Sequence, residues 1–100
     1  MIRTVKLSEI LPMLKKLKKE VGGEVYVFGS VAEGAAVPFE SDADILILPK
    51  GKYCRKNLFG LAWEAVKGIL DFGIAPHIII YDPKRHAGLL EEVKKTGVRI

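Results

Sequence analysis

Asp42 and Asp44 stand one residue apart at the head of an aliphatic run, Ile45-Leu46-Ile47-Leu48. On a strand, alternate residues share a face, so the two carboxylates point one way with Leu46 and Leu48, while Ala43, Ile45 and Ile47 point the other. Carboxylates placed side by side suit a hard divalent cation, Mg²⁺ or Mn²⁺, and repel each other without one. A second device precedes them. Gly29-Ser30-Val31-Ala32-Glu33-Gly34 is separated from Ser41 by six residues. Here a strand ends in a Gly-Ser turn and a loop or short helix begins, aiming backbone N–H groups and a hydroxyl at one spot as an anion cradle. Gly29 lets a phosphate come close to the backbone. Alone, a Gly-Ser turn or an Asp-x-Asp strand start is ordinary structure. Adjoining, they point to metal-dependent phosphate chemistry, because the phosphate in the cradle supplies the ligand that brings the cation.

The elements that must hold these residues can be read from periodicity. Ser8 is placed to cap a helix whose first turn tolerates Pro12. Ile10, Met13, Leu14, Leu17 and Val21 recur on one face of it, and Lys15, Lys16, Lys18 and Lys19 form a solvated face largely opposite. Gly22 and Gly23 stop it. Glu24 to Phe28 reads as a strand, a loop or short helix covers Ser30 to Ala36, and Asp42 to Leu48 is the second strand. From Asn57 to Phe72 a broad apolar stripe (Leu58, Leu61, Ala62, Ala65, Val66, Ile69, Leu70) predicts the best-buried helix, ended by Gly73. Phe59 and Trp63 are helix packing residues in this pattern. Ile74 to Tyr81 is a third strand, and Asp82 before Pro83 starts a last helix with Leu89, Leu90 and Val93 inward and Gly97 at its end. The expected class is α/β (α+β): a small mixed three-stranded sheet covered on one face by helices, in the order α-β-α-β-α-β-α, with the other face left for a site.

Composition bounds the rest. One hundred residues, 49% apolar and 28% charged, form a single domain, residues 1–100, with enough core to fold unaided. The formal charge of +4 favours phosphate-bearing partners without the density of a nucleic-acid arm. The single cysteine, Cys54, makes no internal disulfide, and no apolar run approaches the roughly 20 residues of a membrane helix. A cytoplasmic protein is expected. Uncharged polar side chains are few: Ser8, Ser30, Ser41, Thr4, Thr96, Asn57 and no Gln, a composition that leans towards a thermophile.

The motif Gly29-Ser30-x-x-x-Gly34, with Ser41-Asp42-x-Asp44 and aliphatic residues at this distance, resembles the signature of the polymerase-beta-like nucleotidyltransferases. The short chain is similar to their minimal branch, known mostly from archaea and bacteria. The resemblance implies that Gly29 and Ser30, with Gly34 and Ser41 nearby, hold the triphosphate of ATP or another NTP. It implies that Asp42 and Asp44 bind two Mg²⁺ ions for in-line transfer of a nucleoside monophosphate. Some minimal members adenylylate a protein and act as antitoxins beside a small helical HEPN-type partner. The family places a third acid on the next strand, where this chain has His77. That imidazole is open to three readings: a ligand for Mn²⁺ or another transition metal, a base toward the acceptor hydroxyl, or a strand residue facing a vacated position. Of the nearby acids, Asp82 reads as a helix cap and Glu33 as a solvated loop residue; Cys54 and His86 read as structural and surface residues.

The leading expectation is therefore a Mg²⁺-dependent nucleotidyltransferase with Asp42, Asp44 and His77 at its centre. The alternative is a nucleotide-binding or protein-interaction module of the same fold, impaired in catalysis by the missing third acid. With no extra domain to grip an acceptor, a partner chain or a homodimer is expected to supply that surface. Net charge alone favours nucleic acid too weakly to carry a reading, and no membrane role is expected.

Overall fold

The computed structural model describes residues 3–100. Helix α1 (Leu7–Val21) leads into strand β1 (Glu24–Phe28), a structured loop, and strand β2 (Asp42–Leu48). Helix α2 (Arg55–Val66) tightens into a 3-10 helix (Lys67–Phe72), and strand β3 (Ala75–Ile80), helix α3 (Pro83–Thr96) and strand β4 (Val98–Arg99) follow. The strands form one sheet in the order β3-β2-β1-β4. It is mixed, as expected: β1 pairs antiparallel with β2 and β4, while β2 pairs parallel with β3.

The fourth strand is an addition to the three expected. Its two residues pair with Tyr26 and Val27, Arg99 Nη2 reaches Glu24 Oε1 at 3.0 Å, and the Ile100 N–H donates to the Val25 carbonyl. Two residues after a glycine carry no alternation that periodicity could detect.

The α1/α2 face of the sheet holds the main core. Val25, Val27, Ala43, Ile45 and Ile47 pack there against Ile10, Leu14 and Leu17 of α1 and Ala62, Ala65 and Val66 of α2. Each fully buried Leu or Ile side chain contributes roughly 1.5–3 kcal/mol. The opposite face is not bare, as a one-sided arrangement would leave it. There α3 lays Val93, with Leu89 and Leu90, over Tyr26 and Leu46.

Several local expectations are corrected. Ser8 is not the cap of α1: the cap residue is Lys6, whose N–H donates to Glu9 Oε2 at 2.8 Å while the Glu9 N–H donates back to the Lys6 carbonyl. Arg3 Nη2 adds an ion pair to Glu9 Oε1 at 2.9 Å. Both contacts hold the Glu9 carboxyl below the usual carboxylate range, the Lys6 backbone bond being the larger cause. Pro12 consequently lies inside the helix, beyond its first turn. No helix forms in the stretch after Ser30; residues 29–34 are turns, because Val31 and Ala36 are drawn into the core and Val5 bridges to Ala36. Leu61 and Leu70, counted in the buried stripe of the helix expected from Asn57 to Phe72, are 41% and 47% exposed. That helix also changes pitch where Gly68 meets α1: a Cβ on Gly68 would come within 2.8 Å of Met13 Sδ. Gly73 ends it in the left-handed conformation, as expected.

Asp82 caps α3 as read, its Oδ1 accepting from the Lys84 N–H at 3.0 Å. His86 is more than a surface residue, since its Nδ1 accepts from the Asp82 N–H at 2.9 Å and completes the cap. No helix among the described residues is long and apolar enough to cross a membrane.

Candidate active site

The end of β1 and the starts of β2 and β3 meet at one edge of the sheet. Across the three strands, Asp44 stands in register with Phe28 on one side and His77 on the other, so all three side chains share a face. The same face is covered by α3 further along, at Tyr26 and Leu46. At the site itself Asp42 is exposed, the Asp44 side chain is 27% exposed and that of His77 59%. The aliphatic partners Ile45 and Ile47 lie in the core behind, which holds β2 rigidly while its polar alternates face solvent.

His77 Nδ1 lies 3.1 Å from Asp44 Oδ1. With the proton on Nδ1 the imidazole donates to the carboxylate and keeps a lone pair on Nε2. The other carboxylate oxygen faces Gly29: a Cβ there would stand 2.4 Å from Asp44 Oδ2. Gly29 also has φ +73°, so both its backbone conformation and its missing side chain are needed at this point. The turn and the acid strand are thus packed directly on each other.

The turn is shaped by its own hydrogen bonds. The N–H groups of Glu33, Gly34 and Ala35 donate to the carbonyls of Gly29, Val31 and Ser30. Among the described residues, no backbone bond outside the regular elements engages the N–H groups of Ser30, Val31 and Ala32. Ser30 Oγ donates to the Asp42 carbonyl at 3.4 Å, tying the turn to the start of β2. Gly34 adopts φ +74° in open space, so its contribution is the turn itself. Ser41 has a definite structural partner: its Oγ accepts from the Val37 N–H at 2.9 Å and closes the loop just ahead of Asp42.

The structure therefore brings Gly29, Ser30, Asp42, Asp44 and His77 to one edge, with Ser41 and Gly34 shaping the loop. The hard carboxylate oxygens of Asp42 and Asp44 fit a divalent cation, and the space that a Cβ at Gly29 would fill lies directly against Asp44 Oδ2. Among the described residues no three His, Cys, Asp or Glu side chains close on a single point, so further oxygens would have to come from substrate or water.

Sequence reasoning passed over Phe39. It has φ +67° and is 92% exposed, three residues before Asp42, held by its N–H donating to the Gly73 carbonyl at 2.7 Å. An exposed aromatic carries no periodic signal, and a bulky residue at positive φ is not readable from sequence. A separate groove of about 600 Å³ opens at the opposite end of the sheet, between Gly23, Leu48, Lys50, Tyr53 and Tyr81. Neither acid borders it.

This arrangement, a glycine-serine turn packed on a paired-acid strand of a mixed sheet, is that of a nucleotidyl-transfer domain. The chain belongs to the nucleotidyltransferase domain family, whose model matches residues 7–100. A solved structure from Sulfolobus solfataricus, provisionally assigned as a nucleotidyltransferase, is 26% identical and aligns over 92% of this chain and 79% of its own, with a TM-score of 0.46. No curated protein matches the chain at a significant level.

Proposed function

We propose that the chain transfers a nucleoside monophosphate, AMP from ATP, to an acceptor hydroxyl on a protein, in a Mg²⁺-dependent reaction, as the antitoxin-like half of a two-component system. The observation that carries this reading is the close packing of Gly29 on Asp44, which sets the Gly-Ser turn directly beside a carboxylate suited to a metal. Asp42 and Asp44 would hold Mg²⁺ or Mn²⁺. The chemistry such a cation supplies when bound is neutralisation of the triphosphate and a lowered pKa for the acceptor hydroxyl.

The chain's own residues do the remaining work. The N–H groups of Ser30, Val31 and Ala32, which no backbone bond outside the regular elements engages among the described residues, and the Ser30 hydroxyl would bind the triphosphate and offset its charge. Gly29, lacking a Cβ, lets the turn pack directly on Asp44. The acceptor oxygen bonds to the α-phosphorus as the bond from that phosphorus to the bridging oxygen of pyrophosphate breaks. The acceptor's proton leaves to water, or to His77 Nε2 while Nδ1 carries the ring proton toward Asp44. A HEPN-type helical protein or a second copy of the chain would contribute the acceptor surface, with the reaction in the cytoplasm.

A second reading is favoured by one observation, the imidazole in direct register with Asp44 where a third carboxylate would complete the site. In it the fold binds nucleotide and a partner without turnover. Incubation with α-labelled ATP, Mg²⁺ or Mn²⁺ and a lysate separates the two. Transfer gives a labelled band that disappears in Asp44→Asn, whereas tight calorimetric binding of ATP with no labelling favours the second reading.

A further inference from the structure

We infer that His77 and Asp44 together form a mixed nitrogen and oxygen pincer that makes this site select a first-row transition cation, such as Mn²⁺, Co²⁺ or Zn²⁺, over Mg²⁺. The inference rests on the proposed assignment of Asp44 as a metal-binding carboxylate and names the kind of metal it takes.

The geometry is set by strand pairing. Asp44 and His77 are register partners on the parallel strands β2 and β3, so the backbone fixes the two side chains side by side. Their Nδ1 and Oδ1 atoms lie 3.1 Å apart. In an octahedral site with bonds of about 2.1 Å, two neighbouring ligand atoms are separated by about 3.0 Å. The pair is thus at the separation of adjacent ligands, and a cation replaces the proton between them with little movement. The His77 side chain is 59% exposed and that of Asp44 27%, so water and ions reach both. On its other side the carboxylate is held by the packing of Gly29 against Asp44 Oδ2, which keeps Oδ1 turned toward His77.

Ligand chemistry then decides the metal. Mg²⁺ prefers oxygen and gains little from imidazole; Mn²⁺, though also hard, accepts nitrogen more readily than Mg²⁺, and Co²⁺ and Zn²⁺ more readily still. A carboxylate at position 77 would offer oxygen to either class. An imidazole there discriminates between them, and it does so before any nucleotide binds.

The test measures metal binding to the nucleotide-free chain, by loss of the free Mn²⁺ paramagnetic resonance signal and by the visible absorption of added Co²⁺. Wild-type protein should bind Mn²⁺ in competition with excess Mg²⁺, and its Co²⁺ spectrum should show nitrogen ligation. His77→Ala should weaken Mn²⁺ and Co²⁺ binding on the order of 10-fold to 100-fold. His77→Asp should restore binding but lose the preference over Mg²⁺. If His77→Ala leaves the Mn²⁺ affinity and the Co²⁺ spectrum unchanged, the imidazole only hydrogen-bonds Asp44 and the inference is overturned, while the transfer reading stands on its own labelling assay. If the wild-type chain binds neither ion without nucleotide, the pincer is overturned, while the transfer reading is decided by its own labelling assay.

Discussion

Gly29 and Asp44 are in contact across the join of β1 and β2, so closely that a single methyl group on Gly29 would sit 2.4 Å from Asp44 Oδ2. The turn and the acid therefore cannot vary independently. Gly29→Ala is expected to do two things at once. The left-handed backbone, φ +73°, costs an alanine about 1 kcal/mol or more, visible as a lower urea midpoint. The new methyl also pushes the Asp44 carboxylate aside, so transfer and metal binding should fall further than the stability loss explains. Full activity in Gly29→Ala would mean that the contact is not part of the site.

Phe39 holds φ +67° with its side chain 92% exposed. Left-handed backbone costs a residue with a Cβ about 1–2 kcal/mol, partly offset by the greater unfolded-state freedom of glycine. Phe39→Gly should therefore be more stable than Phe39→Ala by about 1 kcal/mol in denaturant titrations. This reverses the usual order of the two substitutions, and the usual order would contradict the turn geometry.

The Glu9 carboxyl titrates low because the Lys6 N–H and then Arg3 favour its charged form. A lowered folded-state pKa contributes stability that is present above the unfolded value and is lost as the pH falls through the folded one. Thermal melts from about pH 7 down to about pH 3 should thus show Glu9→Gln less stable than wild type near neutrality, with the difference vanishing in acid. A constant difference across that range would show that the charge of Glu9 is irrelevant to the start of α1.

Asp82 satisfies the Lys84 N–H at the start of α3. Asp82→Ala should cost about 1 kcal/mol in equilibrium unfolding, and it should leave ATP binding intact, because α3 begins at the far end of the sheet from Asp44. Loss of binding in a folded Asp82→Ala protein would place this acid in the site after all.

How far such features can be read in advance depends on the range of the interactions that make them. The three long strands show in the alternation of residues such as Asp42, Asp44 and Leu46, and Asp82-Pro83 announces α3 through chemistry within two residues. Val5 is different: its bridge to Ala36 turns the stretch after Ser30 away from helix, and the two residues are far apart in the chain. Ser8 and Glu9 illustrate a closer competition, in which a carboxylate reaching back to Lys6 sets the helix start ahead of the serine. At the site, Gly29, Ser30, Asp42 and Asp44 are visible as a local motif. His77 enters the site only through the family resemblance, because its contact with Asp44 depends on the parallel register of β2 and β3, which strand patterns alone do not specify. Ser41 is noticeable by type, yet its bond to Val37 emerges only once the loop is closed.

The most direct measurement of nucleotidyl transfer at this edge of the sheet is the labelling of a protein acceptor by α-labelled ATP, with Mg²⁺ and with Mn²⁺, in wild type and Asp44→Asn. The expected result is a labelled band and released pyrophosphate with wild type, stronger with Mn²⁺, and loss of at least about 100-fold with Asp44→Asn, as for removal of a group that stabilises the transferring phosphoryl. Equal labelling by a folded Asp44→Asn protein would contradict it.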